Sequence, residues 1–131
     1  MKAPQRLRSQ QGMALIEVLV SILIFSIGIL GLIGLQSRAI KLSVDTEDRN
    51  RAALLANELV TEMWLLRTPD VPADLKTAWK NKIADPVGGG LPNGNGAVDV
   101  NAVAKQADIT ITWQAPGADT QSKLTTRVVL P

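Results

Sequence analysis

The chain has 131 residues and a formal net charge of +2, and 46% of its residues are hydrophobic. This length allows one small domain with an appendage. Because the sequence contains no His and no Cys, Ser-His-Asp triads, thiolate nucleophiles, imidazole metal sites and disulfides are all excluded. We expect no catalytic residue, no bound cofactor and no metal site.

The positive charge is concentrated at the start of the chain. Lys2, Arg6 and Arg8 lie in the first twelve residues without an acidic neighbour, and the other 119 residues carry 11 basic and 12 acidic side chains, a net charge of −1. A nucleic-acid-binding protein carries its basic residues on a folded face, so nucleic acid is not an expected partner. A short basic segment before an apolar run points instead to a membrane.

The apolar run at residues 18–35 contains eighteen residues without a charge. At about 1.5 Å per residue it is just long enough to cross a hydrocarbon core of about 30 Å. A secretory signal peptide is disfavoured because no small-x-small cleavage site follows, and a buried core helix would need a larger protein around it. We expect a single-pass anchor in the inner membrane, with a cytoplasmic N-terminus and a periplasmic domain.

Glu17 makes this anchor unusual. An ionisable residue in a membrane segment costs roughly 2.5–3.5 kcal/mol on insertion scales and is by default a candidate functional residue. Taken alone, Glu17 is equally compatible with a position at the level of the lipid headgroups. The residues before it favour a functional role.

The junction between the basic leader and the apolar run carries a motif. Residues 11–20 read QGMALIEVLV, so that a glycine ends the leader, Met13 opens the apolar run, and Glu17 is its fifth residue. This pattern resembles the class III signal of type IV pilins and type II secretion pseudopilins. Most members of that family have Phe where this chain has Met13, which is a departure from the pattern.

The resemblance implies a processing site and an assembly site. A membrane-embedded prepilin peptidase would cleave after Gly12 on the cytoplasmic side, and the same enzyme would N-methylate Met13. Glu17 would pair with the amine of a neighbouring subunit during filament assembly, since neither charge is stable alone in apolar surroundings. The implied partners are the prepilin peptidase, other minor and major pilins, the pilus assembly platform and the inner membrane.

Within this family the chain is most similar to the minor pilins of the type IV pilus modification group, PilV. The likeness lies in residues 17–36, 53–66 and 109–113. It implies a non-enzymatic subunit that takes part in pilus assembly or modification and later reaches the pilus and the cell surface. Type II secretion pseudopilins of the I type share the opening at residues 17–20 and are the alternative.

Three glycines, Gly28, Gly31 and Gly34, lie inside the apolar run. Each costs about 1 kcal/mol relative to Ala in a helix interior, so the segment could unwind when the subunit packs into a filament. Small residues also allow close helix packing in membranes. Both interpretations remain open from the sequence.

The helix that begins in the membrane is predicted to run from Met13 to Arg67, because residues 36–67 contain no Gly or Pro. Thr68 precedes Pro69, which is expected to end the helix. In the second half, apolar residues follow helical spacing and predict a face that packs on the rest of the domain. These positions are 52, 55, 56, 59, 60, 63 and 66.

The polar segment 45–51 lies between the membrane run and that apolar face. Asp45–Arg49 and Glu47–Arg51 are i,i+4 pairs in the favourable order. We expect this segment to be a solvated stretch of helix.

The remaining residues predict a small α+β region. Residues 72–84 should form a short helix in which Trp79 packs in the core, and residues 85–96 should form a flexible surface loop rich in turn formers. Alternating apolar residues predict strands at 108–114 and 123–130, joined as a hairpin, with a weaker third strand between 97 and 104. The predicted fold is therefore pilin-like α+β, with one long helix packed on a small antiparallel sheet.

The expected organisation has four parts: a leader at 1–12, a membrane and assembly half of the helix at 13–35, an amphipathic half at 36–67, and a globular region at 68–131. The leading function is a minor pilin. A membrane-anchored binding module that does not polymerise is the alternative from another class. An enzyme is poorly supported, since carboxylate pairs such as Glu58 and Glu62 are predicted to lie on an exposed helix face.

Overall fold

A computed structural model of the chain describes the backbone of residues 7–131 and the side chains from residue 12 onward. The elements of this part are α1 (Leu7–Leu66), α2 (Ala73–Ala84), β1 (Asn95–Asn101), β2 (Gln106–Trp113) and β3 (Ser122–Val129). The chain divides into two units between Leu42 and Ser43. The second unit contains the end of α1, the short helix and the sheet, which confirms the predicted pilin-like α+β fold.

The helix α1 begins earlier than predicted. It starts at Leu7, whereas the sequence predicted a start at Met13. Residues 7–11 contain no Pro or Gly, so Gly12 is the one weak helix former before the apolar run. A single glycine costs about 1 kcal/mol and does not by itself end a helix.

The end of α1 is a capping motif, one residue before the predicted end. Arg67 has a left-handed backbone with φ of 53°, its amide donates to the Trp64 carbonyl at 3.3 Å, and the Thr68 amide donates to the Met63 carbonyl at 3.1 Å. These two bonds form a Schellman motif with Arg67 in the position that usually holds Gly. The helix therefore ends by capping at Arg67, and Pro69 follows as a residue that could not continue it.

The helix α2 confirms the predicted short helix. Pro72 is the residue before its first turn, and the Pro72 carbonyl accepts the first bond of the helix from the Lys76 amide at 3.1 Å. Trp79 and Ile83 are buried, and the Trp79 indole Nε1 donates to the Leu55 carbonyl of α1 at 2.8 Å. This bond satisfies the buried N–H while the ring packs in the core, as predicted for Trp79.

The sheet has the order β1-β2-β3 with both pairs antiparallel. In the observed register, Ile109 of β2 lies opposite Val98 on β1 and Thr126 on β3. The predicted hairpin is confirmed, with β2 and β3 shifted by one or two residues from the predicted bounds. The predicted third strand exists as β1 at Asn95–Asn101.

The core lies between the apolar face of α1, the buried side of α2 and the inner face of the sheet. On β2, Ala107, Ile109, Ile111 and Trp113 are buried and alternate with partly exposed residues. The predicted face of α1 is confirmed at the buried residues Ala52, Leu55, Ala56, Leu59 and Met63, and Val60 is partly buried. Leu66 is an exception, because it remains 45% exposed at the capped helix end.

The glycine-rich segment after α2 lies at the surface as predicted over residues 85–89, but from Gly90 onward it is anchored to the rest of the domain. The Leu91 amide donates to the Ile83 carbonyl at 2.9 Å, the Gly90 amide donates to the Asp85 carbonyl at 2.8 Å, and the Leu91 side chain is fully buried. A Cβ on Gly90 would lie 2.5 Å from the Ile83 carbonyl oxygen. Gly90 therefore permits close approach of this segment to the end of α2.

The polar segment 45–51 is only partly solvated. Its two predicted i,i+4 ion pairs are present. Asp48 contradicts the prediction, because it is 5% exposed and its Oδ2 has no hydrogen-bond partner among the described residues. Arg51 also reaches beyond the helix and donates to the Gly90 carbonyl at 3.1 Å. Residues 45–51 therefore include the point at which the glycine-rich segment after α2 contacts α1.

Candidate functional site

The sequence motif lies on a continuous stretch of α1. Gly12, Met13 and Glu17 are all helical and exposed, and a Cβ on Gly12 would have no atom within 4 Å. Met13 and Glu17 are four residues apart, so they lie on the same face of the helix, one turn apart. No described residue of this chain covers that face near Gly12.

The apolar segment that follows is bare over its whole length. Most of its large apolar side chains, such as Phe25 and Leu30, are more than half exposed, and Val20 and Ile29 are still 48% and 40% exposed. The two serines are satisfied within the helix, since Ser21 Oγ donates to the Glu17 carbonyl and Ser26 Oγ to the Ile22 carbonyl, each at 2.7 Å. A helix whose polar groups are bonded internally and whose side chains are apolar is suited to lipid.

Among the described residues, α1 is the one helix that is long and apolar enough to cross a membrane, judged by length and composition. None of its most apolar stretch is buried by the rest of the chain. Cβ atoms on Gly28, Gly31 and Gly34 would meet nothing within 4 Å.

Part of the basic leader lies outside the described residues. Lys2 and Arg6 belong to that part, and the side chain of Arg8 is likewise not described. The described backbone shows that residues 7–12 continue directly into the apolar helix. The bond between Gly12 and Met13 is thus inside a helix in this structure.

The carboxylates Glu58 and Glu62 lie beside α2. Lys82 Nζ donates to both oxygens of Glu58, at 2.9 and 2.6 Å, and this pair joins the two helices. Glu62 and Trp79 help to line a shallow cavity of about 150 Å³ next to the pair. No group of three or more Asp and Glu side chains within the described residues is placed to hold a metal ion. This arrangement is an exposed ion pair, which contributes roughly 0–1 kcal/mol to stability.

A second ion pair lies on the outer face of the sheet. Arg127 of β3 donates to both carboxylate oxygens of Asp108 on β2, at 2.6 and 2.8 Å. The hydrogen bond from the guanidinium lowers the pKa of Asp108 and raises the pKa of Arg127. The pair is bidentate and joins two residues that are directly opposite each other on neighbouring strands.

The sequence did not predict three features of the second unit. They are the burial of Asp48 and the left-handed backbones of Arg67 and Lys105, with φ of 53° and 50°. Charged residues at such positions follow no periodic pattern or motif. Their roles depend on tertiary neighbours that a single sequence does not reveal.

The comparisons with known proteins concern the N-terminal segment. The family model described as the prokaryotic N-terminal methylation motif matches residues 7–33, which include Gly12, Met13 and Glu17. No match was found among curated proteins or among solved structures. The matched residues are those of the leader junction and the bare apolar helix.

The motif is the class III signal typical of type IV pilins and pseudopilins, and it implies processing by a prepilin peptidase. An apolar N-terminal helix with this signal is consistent with anchoring in the inner membrane before pilus assembly. Proteins of this kind are generally structural rather than enzymatic. The chain is therefore pilin-like, with a class III signal at the start of its long helix.

Proposed function

We propose that the protein is a minor pilin, most similar to the type IV pilus modification group PilV, that takes part in pilus assembly or modification. The observation that carries this proposal is the methylation motif at residues 7–33 on a helix whose second half is the spine of a pilin-like α+β domain. A cleaved, bare apolar helix attached to a packed domain is suited to a subunit that moves from a membrane into a filament.

The four predicted parts of the chain follow from this proposal. Residues 1–12 are the leader, residues 13–35 the membrane and assembly half of the helix, and residues 36–67 its amphipathic half. Residues 68–131 complete the globular region, although the packed unit of the structure begins earlier, at Ser43. The other proposed partners are minor and major pilins and the assembly platform.

The processing step requires the bond between Gly12 and Met13 to reach a peptidase. Because that bond lies in a helix here, the helix must open locally before cleavage. Gly12 is the residue at which opening is easiest, since glycine is about 1 kcal/mol less favourable than Ala in a helix interior. It also leaves the backbone bare for the enzyme. Methylation of Met13 would then retain the positive charge of the new amine.

Replacing Gly12 by valine is expected to block processing, because a branched side chain would stand next to the scissile bond. Intact mass and N-terminal sequencing would be compared in cells with and without prepilin peptidase. The native chain should begin at Met13 and carry one methyl group, but only when the peptidase is active. Gly28→Val, the same change elsewhere in α1, should be processed normally. A native chain that still begins at Met1 in peptidase-containing cells would remove the basis of the proposal.

Replacing Glu17 by glutamine is expected to leave cleavage intact and to prevent incorporation into filaments. The neutral side chain is less costly in the membrane, so anchoring should not weaken. The lost charge can no longer pair with the amine of a neighbouring subunit, and the native protein, but not the variant, should be found in sheared pili. Glu62→Gln is the matched control, since Glu62 has no ion pair among the described residues. Normal incorporation of Glu17→Gln would contradict the assigned role.

The same fractionation separates the alternatives. A membrane-anchored binding module would be absent from sheared pili, whether or not its leader had been cleaved. A type II secretion pseudopilin of the I type would depend on secretion components rather than pilus components for its assembly. Recovery of the native chain in pili is therefore the result that the minor-pilin proposal requires.

A further inference from the structure

The shallow cavity of about 150 Å³ between the two helices, the α1–α2 groove, is smaller than the pockets of about 300–1,000 Å³ that hold small-molecule ligands. It has room for one long side chain. Its lining includes Glu58 and Glu62 of α1 and Leu75, Ala78, Trp79 and Lys82 of α2. All of these residues belong to the unit that begins at Ser43, so the groove is formed without the membrane segment.

The α1–α2 groove lies on the side of α1 that faces away from the residues after β3. Leu130 and Pro131 lie beside Trp64, whereas Glu62 lines the groove. Successive residues of an α-helix are turned by about 100°, so residues two apart point in nearly opposite directions. The shape of the groove is therefore set by the two helices.

The groove carries one negative charge that no described side chain neutralises. Glu58 is paired, because Lys82 Nζ donates to both of its carboxylate oxygens. Glu62 is half-buried, and its carboxylate forms no hydrogen bond or ion pair within the described part of the chain. The two glutamates and the lysine leave a formal charge of −1 in the lining. A cation is therefore the complementary charge for this groove.

The other walls of the groove are apolar. Leu59 and Trp79 are buried beneath it, and Leu75 is 36% exposed. The Trp79 ring is held in place by its hydrogen bond to the Leu55 carbonyl, and Ala78 contributes only a methyl group. Apolar walls next to an unpaired carboxylate match a long basic side chain, whose methylene stem packs on apolar surface while its head keeps its charge.

We propose that the α1–α2 groove binds one arginine side chain of a partner protein, with its methylene stem on Leu75 and Trp79 and its guanidinium on the Glu62 carboxylate. Arginine fits better than lysine, because its planar fork matches a carboxylate and is more weakly hydrated than an ammonium group. This proposal goes beyond filament assembly. It does not depend on processing at Gly12, and Glu62→Gln is still expected to enter pili normally.

The test uses the full chain in nanodiscs of zwitterionic lipid, which present no anionic surface to a basic peptide. One side chain buries little surface, so we expect millimolar affinity, which NMR shifts of the Leu75 and Ala78 methyl groups can measure. The probe is the capped tripeptide Gly-Arg-Gly. Citrulline in place of arginine keeps the size of the side chain and removes its charge, and it should weaken binding roughly tenfold, the effect of one hydrogen bond between charged groups. Equal binding of the two peptides would overturn the proposal.

Glu62→Gln tests the carboxylate. The affinity for the arginine peptide should fall roughly tenfold, while the thermal unfolding midpoint stays the same because the Glu62 side chain makes no polar contact in the fold. Asp119→Asn is the matched control, since it removes one exposed negative charge from the connection between β2 and β3 and should leave affinity unchanged.

Ala78→Leu tests insertion into the groove. The larger side chain would occupy the groove and leave Glu62 in place, so peptide affinity should fall although the charge is kept. Ala73→Leu makes the same change outside the groove and should bind normally. Both variants should fold, because Ala73 and Ala78 are exposed and leucine is a good helix former.

Three results would overturn the assignment. In the first, Glu62→Gln binds the arginine peptide as tightly as the native chain does. In the second, Ala78→Leu binds it as tightly, which would place the arginine on the surface rather than in the groove. In the third, a lysine peptide binds more tightly than the arginine peptide, and the planar fork is then not what the groove recognises.

Discussion

Replacing Trp79 by alanine is expected to lower the free energy of unfolding of the domain by about 3–5 kcal/mol. Trp79 is buried between α1 and β1, where a Cβ on Gly96 would lie 2.5 Å from its ring. The surrounding residues come from three different elements and cannot all close on the space left by an indole. Because small domains have net stabilities of roughly 5–15 kcal/mol, this loss is a large fraction of the total.

The indole contributes through packing more than through its hydrogen bond. Trp79→Phe keeps an aromatic ring but removes the donor to the Leu55 carbonyl, and a typical net hydrogen bond is worth about 1 kcal/mol. The Leu55 carbonyl is inside α1 and also accepts the ordinary helical bond, so it is not left unpaired. We therefore expect Trp79→Phe to lose about 1–2 kcal/mol, well below the alanine variant.

Hydrogen exchange of sheet amides in the full chain would measure these losses. The amides of Ile109 and Ile111 in the central strand report on opening of the whole sheet. Trp64→Ala is the control, because Trp64 is half exposed and should cost much less. Equal effects of the two alanine variants would show that Trp79 is not the centre of the core.

The parts of the fold that the sequence predicts are those governed by periodicity. Apolar spacing on α1 identified the buried face from Ala52 to Met63, and alternation on β2 identified its inward residues. In both cases a residue's environment follows from its position in one element and from the need to cover an apolar face. The order and pairing of the strands then follow from short connections.

Features that depend on contact between elements were not predictable. The glycines after α2 suggested mobility, yet Gly90 and Gly94 are sites of close backbone approach to Ile83. The end of α1 was assigned to Pro69, but a Schellman motif at Arg67 caps it first. Glycine and proline signal an interruption of regular structure, and whether the interruption is tight or loose depends on what packs against it.

For the candidate site, the sequence motif was more informative than the fold. Gly12, Met13 and Glu17 were assigned from a local motif, and the match at residues 7–33 concerns the same segment. The fold adds little there, because this face of α1 contacts nothing else in the described chain. The proposed partners of these residues are other molecules, so their roles are questions for processing and filament experiments.

Replacing Asp48 is expected to change the free energy of unfolding in the opposite direction from replacing Trp79. Replacing it by asparagine is expected to raise the free energy of unfolding near neutral pH by about 1–2 kcal/mol. Its Oδ2 is buried without a partner among the described residues. Burial raises the pKa of Asp48, and Glu47 and Asp45 raise it further, whereas Arg51 lowers it. An amide of the same size keeps the packing and removes the buried charge.

The pH dependence follows from the direction of this shift. Because the folded domain binds the Asp48 proton more tightly than the unfolded chain does, this residue makes the domain more stable as the pH falls through its folded pKa toward 3.8. The ionisation of Asp108 affects stability at lower pH, below 3.8. The bond from Arg127 lowers the pKa of Asp108, so its contribution is lost as the pH falls through a folded value under 3.8.

The difference in stability between Asp48→Asn and the native chain isolates the first effect. Urea unfolding across pH 4–7 should show the largest gain near neutral pH and a smaller gain on acidification, since protonated aspartate and asparagine are both neutral. Asp45→Asn is the control, because it removes an exposed pair with Arg49 and should lower stability by at most about 0.5 kcal/mol. A variant less stable than the native chain at neutral pH would mean that the Asp48 charge is compensated in the folded state. The fold would then require that charge at the point where the glycine-rich segment meets α1.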